Sequence, residues 1–105
     1  MNAYQRSADV LIGLPWNIAY YALFASMLAH HLRYKRGILH VFLGDAHIYN
    51  SHSDGFKLLD KIPLTASQLQ ILSNPEKPIE DIQFEDITLS NTYCAHESLK
   101  LEMAV

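Results

Sequence analysis

The chain has little cysteine and little net charge, and each shortage excludes a class of function. Its single cysteine, Cys94, rules out an intramolecular disulfide and a Cys-x-x-Cys metal or redox motif. This cysteine usage predicts a reducing, cytoplasmic compartment. The formal net charge is −3 and no basic face stands out, so we do not expect nucleic acid as a partner. With 105 residues, half of them hydrophobic, we expect one domain over residues 1–105.

Charge is also missing from residues 10–29, and this run is as long as a membrane span of about 20 residues. Gly13, Pro15 and Asn17 interrupt it, however, and Pro15 suits the first residue of a helix, where its missing N–H costs nothing. We therefore expect no membrane partner, and we divide the run into the end of a strand or loop and a helix over residues 15–32.

The remaining pattern predicts an α/β (α+β) fold, in which a mixed β-sheet packs against a long central apolar helix. Strands are expected over residues 1–10, 38–49 and 82–89, a short helix over 51–62 and a turn over 74–78. Residues 65–72 fit a helix or a strand. Gly44, inside the second strand, predicts a bulge or a close approach of backbone. The helix is apolar nearly all round, so it should be covered on several sides.

Two groups of polar residues could bind a ligand. Arg6 beside Ser7 can hold a phosphate, and the Asn17 amide matches the edge of a nucleobase. The same sequence pattern would also arise if the arginine lay on the surface and the asparagine at a helix start, with neither binding a ligand. Asp45, His47 and Tyr49 alternate along the second strand and should share one face. That face could meet a sugar hydroxyl, or it could simply face solvent.

Metal and nucleophile chemistry have weak support in this sequence. The six histidines occur in no metal-ligand spacing, so we predict no metal site. Cys94 has His96 two residues on, but nothing around it would lower a thiol pKa. We therefore assign no catalytic residue.

Four segments together resemble one known family. YQRSADVLIGLPWNIAYYAL, GDAHIYNSH, NPEKPIEDIQFEDITL and the tail YCAHESLKLEMAV are similar, in order, to motifs of the thymidylate synthases. Several collinear motifs are far more specific than any one of them alone.

The resemblance implies a reaction and a set of binding residues. Members of the family transfer a one-carbon unit from 5,10-methylenetetrahydrofolate to dUMP and reduce it, giving dTMP and dihydrofolate. The residues expected to bind dUMP are Gln5, Arg6, Ser7, Asn17, His47 and Tyr49. The residues expected to contact the folate are Asp9, Ile12, Gly13, Ala104 and Val105, the last two as a lid over the site.

The chain also departs from the family pattern. The family nucleophile is a cysteine in a Pro-Cys motif about twenty residues before YQRS, and Cys94 lies in the tail. We therefore expect the C-terminal portion of a thymidylate synthase, inactive unless an N-terminal piece supplies the cysteine. The alternatives are a non-catalytic nucleotide-binding or interaction module and part of a phage-type pyrimidine hydroxymethylase. A truncated sheet would leave an unpaired edge and a partly uncovered helix, so we expect a homo-oligomer, in the simplest case a dimer.

Overall fold

A strand–helix–strand unit forms the first half of the fold. The computed structural model describes residues 1–55 and 67–91. Strand β1 (Asn2–Asp9) leads into helix α1 (Gly13–His31), which returns the chain to strand β2 (His40–His47). The two strands pair in parallel, from Asn2 with His40 to Asp9 with His47. A helical crossover is what parallel pairing of neighbouring strands requires.

The second half is a small antiparallel ribbon. Strand β3 (Gln68–Ile71) pairs with strand β4 (Ile87–Ser90) in a separate two-stranded sheet. Two 3-10 helices, Ile79–Asp81 and Phe84–Asp86, lie between these strands. The predicted α+β class is confirmed. The strands of residues 1–55 and 67–91, however, form two separate sheets, one parallel and one antiparallel, rather than the single mixed sheet that was expected. The stretch 65–72, for which the sequence fitted a helix or a strand, contains the strand Gln68–Ile71.

The start of α1 is set by an aspartate rather than by the proline. Asp9 Oδ1 accepts the N–H groups of Leu11 and Ile12 at 3.2 and 3.4 Å. These bonds satisfy donors that precede a helix and have no partner within it. The helix therefore begins at Gly13, two residues before the predicted start, and Pro15 lies in the first turn, where its missing N–H is still harmless.

The end of α1 is a left-handed turn. Arg33 has φ of +58°, and Tyr34 N–H donates to the Ala29 carbonyl at 2.8 Å, the six-to-one bond of a Schellman motif. The two last histidines then tie the helix to the following ribbon. His30 Nε2 donates to the Ser73 carbonyl at 2.7 Å, and His31 Nδ1 donates to the Lys77 carbonyl at 3.2 Å.

Helix α1 is only partly covered in the described residues. It contacts β1, β3 and the 3-10 helix Ile79–Asp81, yet Trp16 remains 76% exposed and Tyr20 69%. Ala3 and Ala8 are the buried apolar residues of the described ranges, so the core there is thin. The apolar composition alone predicted cover on several sides, which is wrong here. The other expectation, of a partly uncovered helix, agrees with the exposure that is observed.

Gly44 is a point of close backbone approach. A Cβ atom at Gly44 would lie 2.9 Å from the carbonyl oxygen of Arg6, on the neighbouring strand. The strand register does not slip there, because Leu43 pairs with Gln5 and Asp45 with Ser7 on either side. Of the two predictions for this glycine, close approach is therefore the correct one and a bulge is not.

Two predicted elements need correction. Residues 82–89 do not form one strand, because Asp86 Oδ2 accepts the Gln83 N–H at 2.9 Å and Lys77 Nζ at 2.7 Å, which curls Phe84–Asp86 into a 3-10 helix. The strand starts only at Ile87. The helix predicted over 51–62 is a 3-10 helix, Asn50–Gly55, and its later residues lie outside the described ranges. The predicted turn over 74–78 is confirmed by the Lys77 N–H bond to the Asn74 carbonyl.

Across residues 1–55 and 67–91, no helix combines the length and the apolar character that crossing a bilayer requires.

Candidate functional site

A polar face lies across the parallel strands. Side chains alternate along a strand, and the pairing places Ser7 beside Asp45 and Asp9 beside His47. Gln5 precedes them on the same side of β1. We call these five residues, Gln5, Ser7, Asp9, Asp45 and His47, the polar face. It presents hydroxyl, amide, carboxylate and imidazole groups within one short stretch of sheet.

The polar face continues past the end of β2 in a row of rings. His47 Nδ1 lies 3.5 Å from Asp45 Oδ2, and the His47 ring meets Tyr49 edge to face, with centroids 5.2 Å apart. Tyr49 meets His52 in the same way at 5.4 Å, and His52 is 1% exposed. The prediction that Asp45, His47 and Tyr49 share one side of the strand is confirmed by these contacts. His52 was not predicted to join them, since sequence spacing cannot show a ring contact across a turn.

The start of α1 closes one end of the polar face. An added Cβ at Gly13 would lie 3.6 Å from the Asp9 Cβ, so the first turn of the helix sits directly against this strand end. Asn17 follows Gly13 by four residues and therefore stands on the same side of the helix. Its side chain is half-buried. The strand end and the helix start thus bring Asp9, Ile12 and Gly13 together, and Asn17 lies one turn further along the helix.

Only the nitrogen of the Gln5 side-chain amide forms a hydrogen bond within the described residues. Its Nε2 donates to the Ser7 carbonyl at 2.8 Å, whereas its Oε1 is buried without a hydrogen-bond partner in the described part of the chain. A buried acceptor without a donor is unfavourable by about 1–3 kcal/mol.

Arg6 is not on the polar face. It occupies the alternate side of β1 with Tyr4, whose ring stacks on Phe42 at 4.9 Å. Arg6 is exposed and lines a recess of about 380 Å³ with these two rings and Gly44. Arg6 and Ser7 are adjacent along the strand but point to opposite sides of it.

Another cavity lies away from the polar face. It measures about 490 Å³, runs between the second half of α1 and β3, and has none of the predicted binding residues in its walls. Ala104, Val105, Cys94 and His96 fall outside the described residues. Within residues 1–55 and 67–91, no three acidic, histidine or cysteine side chains are grouped closely enough to hold a metal ion.

These features define an α+β protein in which a parallel strand pair and the start of its crossover helix present one polar face. The sequence carries the identification further. The family model for thymidylate synthase matches residues 1–105, and the chain belongs to that family, as the four motifs predicted.

A human protein shows the same relationship. The chain is 44% identical over 103 residues to thymidylate synthase from Homo sapiens, and the alignment covers 97% of this chain. The same alignment covers 32% of the human protein, so the chain spans about a third of that relative's length.

Proposed function

We propose that these 105 residues form the nucleotide- and folate-binding part of a thymidylate synthase. The complete reaction would transfer the one-carbon unit of 5,10-methylenetetrahydrofolate to dUMP, giving dTMP and dihydrofolate. The observation that carries the proposal is the polar face, because family motifs from two distant segments meet there. Gln5, Ser7 and Asp9 come from the first motif, and His47 comes from the second.

The nucleotide would bind along β1 and β2. Asn17 and Gln5 would face the uracil, whose N3–H and O4 offer one donor and one acceptor to an amide. His47 and Tyr49 would hold the ribose hydroxyl. The phosphate would sit at the edge of β1, where the Ser7 hydroxyl would donate to it and the Arg6 side chain would have to turn around the strand edge to meet it. Cytosine reverses the donor and acceptor pattern of uracil, so dUMP would be preferred to dCMP.

The folate would bind at the start of α1. Asp9 Oδ1 is already occupied by the N–H groups of Leu11 and Ile12, which fixes the orientation of the carboxylate. Its other oxygen, Oδ2, would then accept an N–H from the pterin. Ile12 and Gly13 would line the ring, and Ala104 and Val105 would close over it and exclude water.

Methyl transfer would need a nucleophile that these 105 residues do not contain. No Pro-Cys dipeptide occurs in the sequence, and Cys94 follows a tyrosine. We propose that these 105 residues bind dUMP without turning it over, and that a segment supplying the Pro-Cys nucleophile would restore the reaction. Formation of dihydrofolate from dUMP and methylenetetrahydrofolate, followed by absorbance, checks this. Turnover by the 105 residues alone would contradict it.

We also propose a homodimer in the cytoplasm. The stacked pair Tyr4 and Phe42 is 76% and 47% exposed, and apolar surface of this kind favours association. The strand pair of β1 and β2 is a sheet with two outer edges, which further strands could extend. Sedimentation equilibrium would measure the state, and a monomer across the accessible concentration range would contradict the dimer.

The binding proposal is tested by calorimetric titration with dUMP. The wild type should bind saturably, and Arg6→Gln should bind at least about tenfold more weakly, because a charge-assisted bond to phosphate is lost. Lys35→Gln is the matched control, since it removes the same charge from an exposed loop residue and should leave the affinity unchanged. Absence of binding at millimolar dUMP, or equal affinity of Arg6→Gln and wild type, would overturn the proposal.

A further inference from the structure

The carboxylate of Asp45 stands beside one particular nitrogen of His47. Asp45 Oδ2 lies 3.5 Å from His47 Nδ1, and the two residues are two positions apart on β2, on the same side of the strand. The His47 side chain is 32% exposed and that of Asp45 is 72% exposed. Asp45 can therefore contact the histidine without being part of the core.

The choice of nitrogen has a chemical consequence. A neutral imidazole carries its proton on one ring nitrogen and accepts a hydrogen bond at the other. A carboxylate can only accept, so its presence beside Nδ1 favours the form in which Nδ1 holds the proton. Nε2 is then left with a lone pair.

The ring is also held in place from its other side. Tyr49 packs edge to face against His47, with the two rings inclined by 74°, and Tyr49 in turn packs against the buried His52. Rotation of the imidazole that exchanged its two nitrogens would have to displace this row. These contacts restrain the ring plane, and the Asp45 carboxylate lies beside Nδ1.

We propose that Asp45 is a positioning residue, which holds His47 as the Nδ1–H form so that Nε2 accepts a hydrogen bond from a hydroxyl group of the ligand. The inference rests on the proposed function, in which that hydroxyl belongs to the ribose of dUMP. Asp45 itself need not touch the nucleotide.

The first test requires no ligand. Nitrogen-15 NMR of the wild-type chain at mildly alkaline pH, where histidine is neutral, should show His47 mainly as the Nδ1–H form. In Asp45→Ala the Nε2–H form should become the major one. Asp45→Asn, whose amide oxygen can still accept from Nδ1, should restore most of the wild-type pattern. Asp81→Ala is the matched control, because it removes an exposed aspartate from the 3-10 helix Ile79–Asp81.

The second test measures affinity for two ligands. Asp45→Ala should weaken dUMP binding about fivefold, the worth of one neutral hydrogen bond, and should leave binding of a dUMP analogue without the 3′-hydroxyl unchanged. Circular dichroism of each variant would verify the fold, and Asp81→Ala should bind both ligands as the wild type does.

The two tests separate the possible failures. If the wild type and Asp45→Ala show the same tautomer of His47, Asp45 does not position the ring. Equal weakening of both ligands would also overturn the inference. If even the wild type does not bind dUMP, the proposed function fails, and the tautomer measurement still decides whether Asp45 positions His47.

Discussion

Replacing Gly44 with alanine should separate the two strands on which the proposed site is built. The new Cβ would lie 2.9 Å from the Arg6 carbonyl oxygen and 3.7 Å from the Gln5 carbonyl oxygen. Both neighbours are backbone atoms, so no side chain can rotate away to make room. Relief requires β1 and β2 to move apart by several tenths of an ångström. Overpacking of this kind costs about 1–3 kcal/mol in unfolding free energy.

The same movement should weaken ligand binding. Gln5 and Ser7 stand on β1 and His47 on β2, so a shift between the strands alters the spacing of groups that would hold one nucleotide. Displacements of this size are enough to weaken hydrogen bonds. Gly44→Ala should therefore lower both the free energy of unfolding and the affinity for dUMP.

Gly37→Ala provides a matched control for this prediction. Gly37 lies in the loop before β2, has no atom within 4 Å of an added Cβ, and does not have a positive φ. The alanine there should be neutral or stabilise the chain by about 0.4–1 kcal/mol through the unfolded state. Urea denaturation of both variants measures the difference. If Gly44→Ala is as stable as Gly37→Ala, the close approach of the strands is not what requires glycine at position 44.

Three other changes test the local structure. Asp9→Ala should lower the free energy of unfolding by about 1 kcal/mol in urea denaturation, because the N–H groups before α1 lose their acceptor; an unchanged value would contradict that role. Arg33→Gly should stabilise the chain by about 1 kcal/mol in the same urea assay, because glycine adopts the left-handed conformation without strain. The lost ion pair with Glu76 is exposed and contributes little. Arg33→Ala, which keeps the strain, should give no gain. The hydrogen bond from Lys77 lowers the pKa of Asp86. The ionised Asp86 therefore stabilises the fold at pH values above the usual aspartate pKa, and this stabilisation is lost as the pH falls through the lowered pKa. The difference in unfolding free energy between wild type and Asp86→Asn should accordingly become smaller as the pH is lowered. A difference that does not change with pH would refute the link between the Asp86 charge and stability.

Local patterns in the sequence predicted the strand–helix–strand unit well. Alternation marked β1, the uncharged run with an early proline marked α1, and β-branched and aromatic residues marked β2. Gly44 inside β2 correctly predicted a close backbone approach. The alternation, the uncharged run and the residue types depend on neighbouring residues alone, which is why they can be read from the sequence.

The features that the sequence did not predict depend on which of several possible hydrogen bonds a side chain forms and on how the strands pair. The start of α1 moved because the Asp9 carboxylate turns back onto the loop, and part of the last predicted strand curled because Asp86 binds both Lys77 and the Gln83 N–H. Alternation could place Asp45 and His47 on one side of β2, but only the parallel register joins them to Ser7. The family resemblance named the candidate residues, and the fold shows which of them share a face.

Binding of dUMP to the polar face is tested most directly by NMR titration of the isotope-labelled chain. The signals of Ser7, Asn17 and His47 should shift saturably with dUMP, whereas residues lining the cavity between α1 and β3, such as Leu69, should stay unchanged. No shifts at millimolar dUMP, or shifts confined to that cavity, would contradict a nucleotide site on β1, β2 and the start of α1.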